Sequence, residues 1–407
     1  MKFGIIKERK NPPDRRVVFT PEELVRLKKE HPDAEIKVES SDIRIFSDQE
    51  YTRAGLEVAV DMTDCDVLFG VKEVPVDALI PGKKYFFFSH TIKKQPHNRK
   101  LLQAVLEKKI DLYDHETIVD KNFKRLIGFG RYAGIVGAYN GIRAFGIKFE
   151  LFSLPKAETL AHKEDLVQRL KRLVLPPIKI VLTGHGKVGN GAKEILDAMK
   201  IKEVSVDDYL NKAYDCPVYT QIDVMDYNKR IDGNEGSKQD FYENPEVYVS
   251  NFERFTKVSD IFMAGHFYGN DAPVILTREM LCAPDNKIKV VADISCDVDG
   301  PIESTIKAST IADPLYGYHP SKNEEVDVFH PAAIVVMAVD NLPCELPKDA
   351  SEGFGEMFMK HVVPAFFNGD KDGILQRAKI TENGELTERF RYLQDYINGY
   401  ELEKIPV

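Results

Sequence analysis

Two stretches of the sequence each run an apolar or aromatic segment straight into an ionisable side chain. LFGVKEVP closes its apolar run on Lys72 and Glu73, and FFFSHTIKKQ, which begins after a ten-residue gap, closes its run on His90. A lysine and a histidine at the tips of two buried strands can remove and relay protons. A free lysine, with a pKa of about 10.4, is a poor base at neutral pH, and lowering it to about 7–8 costs roughly 4 kcal/mol of preference for the charged form. Burial and nearby cations can supply that shift, although Glu73 would oppose it if its side chain came close. A histidine needs no such shift, its reference pKa being about 6.5. The bland alternatives are a surface lysine and a hydrogen-bonded histidine at the edge of a core.

The elements around these residues set the frame. A chain of 407 residues exceeds one ordinary core, so two domains are expected. Its 43% hydrophobic and 30% charged residues describe a soluble globular protein. A net charge of -9 argues against nucleic-acid binding. The basic pairs (Lys93-Lys94, Lys108-Lys109, Lys171-Arg172) sit among apolar residues at helical spacing and read as solvated faces. Cys65, Cys216, Cys282, Cys296 and Cys344 are scattered without a CxxC pair, which suits a reducing cytosol and implies no metal site. The N-terminal stretch turns charged too soon for a signal peptide, and AAIVVMAV is too short for a membrane span, so a cytoplasmic protein is expected.

KFGIIKE, AEIKVES, DVLFGVKE, KYFFFSH, DLYDHETI and RLIGFG read as strands alternating with helices. Thr20 with Glu23 forms a capping-box pattern, Ser47 caps a second helix, and Gly55 closes it. The pattern predicts an α/β fold: two doubly wound Rossmann-like domains separated by a cleft. The expected division is 1–133 with 345–407 as the substrate and catalytic domain, and 134–344 as the dinucleotide domain. GRYAGIVGAYNGIRAFG is a small-residue helix that crosses between them, with Gly134, Gly137 and Gly141 permitting close packing.

IKIVLTGHGKVGNGAKEI places Gly184, Gly186 and Gly189 between a strand and a helix, the context that gives GxGxxG its meaning. The helix N-terminus then offers unpaired N–H groups to a pyrophosphate. Asp207, with Asp208 beside it, is the expected acidic residue for the ribose hydroxyls and favours NAD, with NADP possible. The acidic stretch near 211–250 is too long for an ordinary loop and reads as an inserted lobe or a cover. SDIFMAGHFYG and IKVVADISCDVDG end in His266 and Asp293 at the carboxyl edge of the second sheet; for His266 alone a structural role is the commoner outcome. Hydride transfer fits the combination of a dinucleotide site with ionisable strand ends. No GxSxG, HExxH or P-loop pattern competes.

GVKE and YFFFSHTIKKQ, with YDHETIVD and RLIGFGRYAGIVGA, closely resemble the lysine–ketoglutarate reductase half of aminoadipate semialdehyde synthase. More broadly the chain is similar to lysine-forming saccharopine dehydrogenases, in the alanine dehydrogenase and transhydrogenase superfamily. KERKNPPDRRVVFTP, TGHGKVGNGAKEI and AVDNLPCELPKDASEGFG extend the resemblance almost end to end.

The resemblance implies interconversion of saccharopine with L-lysine and 2-oxoglutarate. Lys72 matches the base that takes the proton of a secondary amine, and His90 the group that shuttles protons as water adds. Glu73 and Glu116 match carboxylates that tune those two. Arg16 matches an arginine for a substrate carboxylate, Arg125 is a candidate for a second, and bidentate pairing suits both to a dicarboxylate. Asp340 falls where the family approaches the nicotinamide. The fused second half of the eukaryotic enzyme is absent, so this chain would act alone. That enzyme's reductase half is expected to use NADPH, whereas Asp207 and Asp208 favour NAD. An alanine dehydrogenase-type enzyme and a non-catalytic dinucleotide-sensing protein are the alternatives. Small amino and oxo acids are the expected partners, and the oligomeric state stays open.

Overall fold

The long apolar runs of the N-terminal region become strands covered on both faces. In the computed structural model, which describes residues 1–269 and 271–399, the chain divides into two units: Met1–Phe129 with the chain from Pro347 onward, and Gly130–Leu346. The first unit holds β1 (Lys2–Ile5), β2 (Glu35–Glu39), β3 (Glu57–Ala59), β4 (Val67–Lys72), β5 (Lys84–Phe88) and β6 (Asp111–Asp114). They form one parallel sheet in the order β3-β2-β1-β4-β5-β6. That is a doubly wound order whose direction reverses between β1 and β4, the switch point at which such sheets bind ligands outside the carboxyl ends of their strands.

One face of this sheet is an aromatic layer. Phe69 packs edge-on against Phe19 and Phe358, with ring centroids 5.5 Å apart in both pairs, and Phe3 meets Phe366 at 5.3 Å. Phe358 belongs to the helix Pro347–His361, which Ser351 ties to the N-terminal segment by accepting the Val17 N–H at 2.9 Å. The predicted caps form: Thr20 and Glu23 exchange bonds at the start of Pro21–Glu30, and Ser47 and Glu50 do so before Asp48–Arg53. RLIGFG is not a strand. It makes only an isolated antiparallel bridge, Val119 to Arg125, because a tight turn at Asp120–Lys124 folds it back on the residues just before it.

The second unit is built on β7 (Lys179–Thr183), β8 (Lys202–Glu203), β9 (Val218–Ile222), β12 (Ile261–Ala264), β13 (Val290–Asp293), β14 (Leu315–His319), β15 (Glu324–Val326) and β16 (Ile334–Met337). Their order is β15-β14-β16-β13-β12-β7-β9-β8; β14 is antiparallel to both its neighbours, β15 and β16, and the other pairs are parallel. β10 (Asn228–Arg230) and β11 (Tyr248–Ser250) form a separate antiparallel ribbon. The glycine-rich helix Gly130–Lys148 packs backbone to backbone on Lys187–Ala198: a Cβ on Gly134 would lie 2.0 Å from the Val188 carbonyl oxygen.

The acidic stretch differs from the expectation in one respect. Residues 218–222 are not insert but β9, hydrogen-bonded directly to β7. The excursion is the shorter segment after it, carrying β10, the helix Lys238–Glu243 and β11.

Candidate active site

The first unit brings Lys72, His90 and Glu116 to the tips of three adjacent parallel strands. Lys72 is the last residue of β4 and pairs in register with Phe88, the last of β5. His90 follows two residues later in the left-handed region (φ 54°), and its main-chain N–H donates to Asp114 at 3.0 Å. Asp114 is fully buried at the end of β6. One of its oxygens also accepts the Ser89 N–H at 2.8 Å and hydroxyl at 2.5 Å, while the other accepts the Glu116 N–H at 2.7 Å. A single buried carboxylate thereby fixes the loops that carry His90 and Glu116.

Glu116 lies 3.3 Å from His90 Nδ1, 3.5 Å from Lys93 Nζ and 3.4 Å from Arg125 Nη1. Burial alone would raise its carboxyl, but the His90 contact and the charges of Lys93 and Arg125 outweigh it and bring it down to about 2. A permanently ionised carboxylate therefore faces the imidazole. Glu73 pairs with Lys10 at 3.1 Å; burial pushes its carboxyl up, but hydrogen bonds and the charges of Lys10 and Lys72 hold it below the usual range.

Arg16 is buried, with its guanidinium 4.1 Å from the Phe129 ring centre. Its Nε and Nη2 donate to the two Asp14 oxygens at 3.0 and 2.6 Å, so Asp14 already holds one fork of the guanidinium. Burial pushes Asp14 up, yet the Arg16 charge and hydrogen bonds, with a smaller pull from Lys72, hold it below the usual carboxylate range. Arg125 donates Nε to the Ile127 carbonyl oxygen at 3.0 Å as well as meeting Glu116.

Sequence reading missed Glu8. It follows β1 and is buried, and its two oxygens accept the N–H groups of Val71 and Lys72 at 2.6 and 2.8 Å. Burial and the Asp14 charge push its carboxyl up to about 8, against those two donors and Arg16. The available signal was a charged residue directly beyond a buried strand, in KERK.

In the second unit the glycine turn forms as expected. Gly184 sits at φ +92°, and a Cβ on Gly189 would lie 1.9 Å from the Gly184 carbonyl oxygen, whereas Gly186 opens to space at the head of Lys187–Ala198. Gly184, Gly186 and Lys187 line a cavity of about 450 Å³ with Asp223, Tyr227, Lys238 and His266. Asp207 is not at a strand end. It lies in the first turn of the helix Val206–Asn211, where it accepts from Asn211 Nδ2 at 2.9 Å. The strand beside β7 is β9, so the carboxylate at its tip is Asp223, which caps the next short helix and pairs with Lys238. Asp340 is exposed on the loop after β16, three strands from β7 on the same edge. Asp293 is buried and takes four internal hydrogen bonds, from Ser295, Cys296 and Thr305, so it is structural. Among the described residues no group of His, Cys, Asp or Glu is placed to hold a metal, and no helix is long and apolar enough to cross a membrane.

This fold is similar to that of an L-alanine dehydrogenase structure, with 98% of this chain and 100% of that one covered at a TM-score of 0.63 and 18% identity. Residues 4–136 match the alanine dehydrogenase/PNT N-terminal domain family. The resemblance read from the sequence is borne out. Alpha-aminoadipic semialdehyde synthase of Arabidopsis thaliana is 29% identical over 96% of this chain and 41% of its own length. Saccharopine dehydrogenase (NAD(+), L-lysine-forming) of Yarrowia lipolytica is 24% identical over 80% of this chain and 82% of its own. The chain thus spans about two fifths of the length of the plant protein.

Proposed function

We propose that this chain is an NAD(P)-dependent oxidoreductase acting on a CH–NH bond, interconverting saccharopine with L-lysine and 2-oxoglutarate. The observation that carries the reading is the placement of Lys72, His90 and Glu116 on three adjacent strand tips, with β4 flanking the switch point. The names of the relatives supply the substrate.

The glycine turn and the orphaned His266 Nε2 fit a dinucleotide. A bound nicotinamide dinucleotide supplies the two-electron acceptor. The protein's own share is proton movement and substrate binding. Lys72 Nζ takes the proton of the substrate's secondary amine. His90 takes a proton from water as it adds to the resulting imine and returns it to the departing amine. Glu116 keeps the imidazole oriented and offsets its positive charge. Glu73 pairs with Lys10 and sets a negative charge in the field of Lys72, which tunes the base. Arg16 and Arg125 are the candidate carboxylate partners, each also held by a protein oxygen.

The acidic tip of β9 supports NAD over NADP, since Asp223 suits a ribose diol and repels a 2′-phosphate. Asp340, on the same edge as the glycine turn, is the candidate for the nicotinamide end. Free thiols at Cys65, Cys216, Cys282 and Cys296 support a cytoplasmic setting. The test is turnover with NADH and NADPH, first on 2-oxoglutarate with lysine and then on pyruvate with ammonia. Reaction with the second pair alone would replace this reading by an alanine dehydrogenase-type one; reaction with neither would leave a dinucleotide sensor.

A further inference from the structure

We infer that His266 is a dinucleotide-contacting residue, whose Nε2 takes a polar atom from the phosphate–ribose segment of the cofactor at the switch point of the second sheet. This rests on the dinucleotide reading above. The sheet order reverses direction between β7 and β12, and the residues beyond those two strand tips are the glycine turn and Gly265-His266. A hydrogen bond spans the gap: Thr183 Oγ1 lies 2.6 Å from His266 Nδ1. His266 is 7% exposed, and its Nε2 is buried without a hydrogen-bond partner.

Buried polar atoms in folded proteins are nearly always paired, so an orphan on a cavity wall marks a place where a ligand atom belongs. His115 in the first unit shows the contrast. Its Nδ1 is also unpaired, but its ring is enclosed by Phe88, Phe354 and Phe358 at centroid distances of 4.9–5.7 Å, where no polar ligand fits. His266 instead lines the cavity shared with Gly184, Gly186, Lys187 and Asp223.

Burial pushes the His266 imidazole down to about 4, so the ring is neutral under physiological conditions. In a neutral ring the bond at one nitrogen sets the role of the other. With the Thr183 hydroxyl donating to Nδ1, Nε2 carries the proton and donates to a phosphate or ribose oxygen. With Nδ1–H donating to Thr183, Nε2 accepts from a ribose hydroxyl. A phosphate oxygen, having no proton to give, is compatible only with the first arrangement.

The experiment is a fluorescence titration of the full chain with NADH, and a competition titration with ADP-ribose and AMP. It compares wild type with His266→Leu, His266→Asn and His266→Gln. A Gln amide reaches the position of Nε2, whereas an Asn amide reaches only that of Nδ1. Leu and Asn should weaken NADH and ADP-ribose about tenfold, which is about 1.4 kcal/mol, and Gln should recover most of that loss. AMP, which lacks the second phosphate and second ribose expected on the β12 side of the turn, should change much less. Thermal midpoints of all four proteins accompany the titrations. Wild-type affinity in His266→Leu and His266→Asn overturns the inference, as does an equal loss in all three variants that tracks a lowered thermal midpoint. If wild type itself binds neither NADH nor ADP-ribose, the dinucleotide reading falls and this inference falls with it.

Discussion

Glu8 accepts the main-chain N–H of Lys72 at 2.8 Å, holding the residue proposed as base by its backbone. The pairing of β1 with β4 stops at Phe69, and the register between β4 and β5 shifts between Phe69 and Lys72. The N–H groups of Val71 and Lys72 thus lack a strand partner on the β1 side, and the Glu8 side chain replaces it. Leaving a buried N–H unpaired costs about 1–3 kcal/mol, enough to let the strand tip move. Glu8→Ala should lower kcat by roughly tenfold to a hundredfold, with NADH affinity within about twofold of wild type. Glu8→Gln, which keeps one acceptor, should fall between the two. Full kcat in Glu8→Ala would mean that the strand tip orients Lys72 unaided.

What was legible in the sequence was whatever local pattern controls. The apolar runs of β4 and β5, the capping pairs Thr20–Glu23 and Ser47–Glu50, and the strand–glycine–helix turn all depend on neighbours a few residues away. Glu8 was not legible because its partners lie more than sixty residues on, across a strand order that no spacing reveals. Asp223 was missed for a different reason. β9 carries Thr220 and Gln221 and begins after a polar segment, so it merges with the acidic stretch, while KEVSV mimics the second strand. In the fold KE is only the two-residue edge strand β8, and β9 takes the place beside β7.

Lys72→Met should separate chemistry from binding. The thioether keeps the length of the side chain but cannot accept a proton, and loss of a general base costs about 10²–10⁴ in rate. Stopped-flow measurement of NADH oxidation should show that loss, with NADH affinity nearly unchanged because the glycine turn lies in the other unit. Turnover close to wild type would remove Lys72 from the mechanism.

Glu345 gives the protein an alkaline weakness. It is 2% exposed, accepts from Asn140 Nδ2 at 3.0 Å, and is pushed by burial, and secondarily by the Glu158 charge, up to about 7. A carboxyl whose folded pKa is raised from 4.5 contributes stability that is complete below 4.5 and is lost as pH rises through about 7. The full shift corresponds to about 3 kcal/mol. Glu345→Gln keeps a carbonyl for Asn140 and does not titrate. Its urea midpoint relative to wild type should therefore rise between about pH 5 and pH 8.5. A constant difference across that range would show that Glu345 ionises without cost.

Asp223 should decide between the two dinucleotides. Its carboxylate stands at the tip of the strand beside the glycine turn and is paired with Lys238, which comes from the excursion between β10 and β11. A 2′-phosphate placed there would meet a like charge, while a ribose diol would find an acceptor. Asp223→Ser removes the repulsion and leaves Lys238 as an unopposed cation for a phosphate. The ratio of kcat/KM for NADH to that for NADPH should then fall by tenfold or more, about 1.4 kcal/mol at the least. Asp223→Ser combined with Lys238→Ala should lose the gain in NADPH use while keeping the weakened NADH. If the single variant leaves the ratio where it was, the adenosine ribose does not reach β9, and selectivity must come from another part of the cavity.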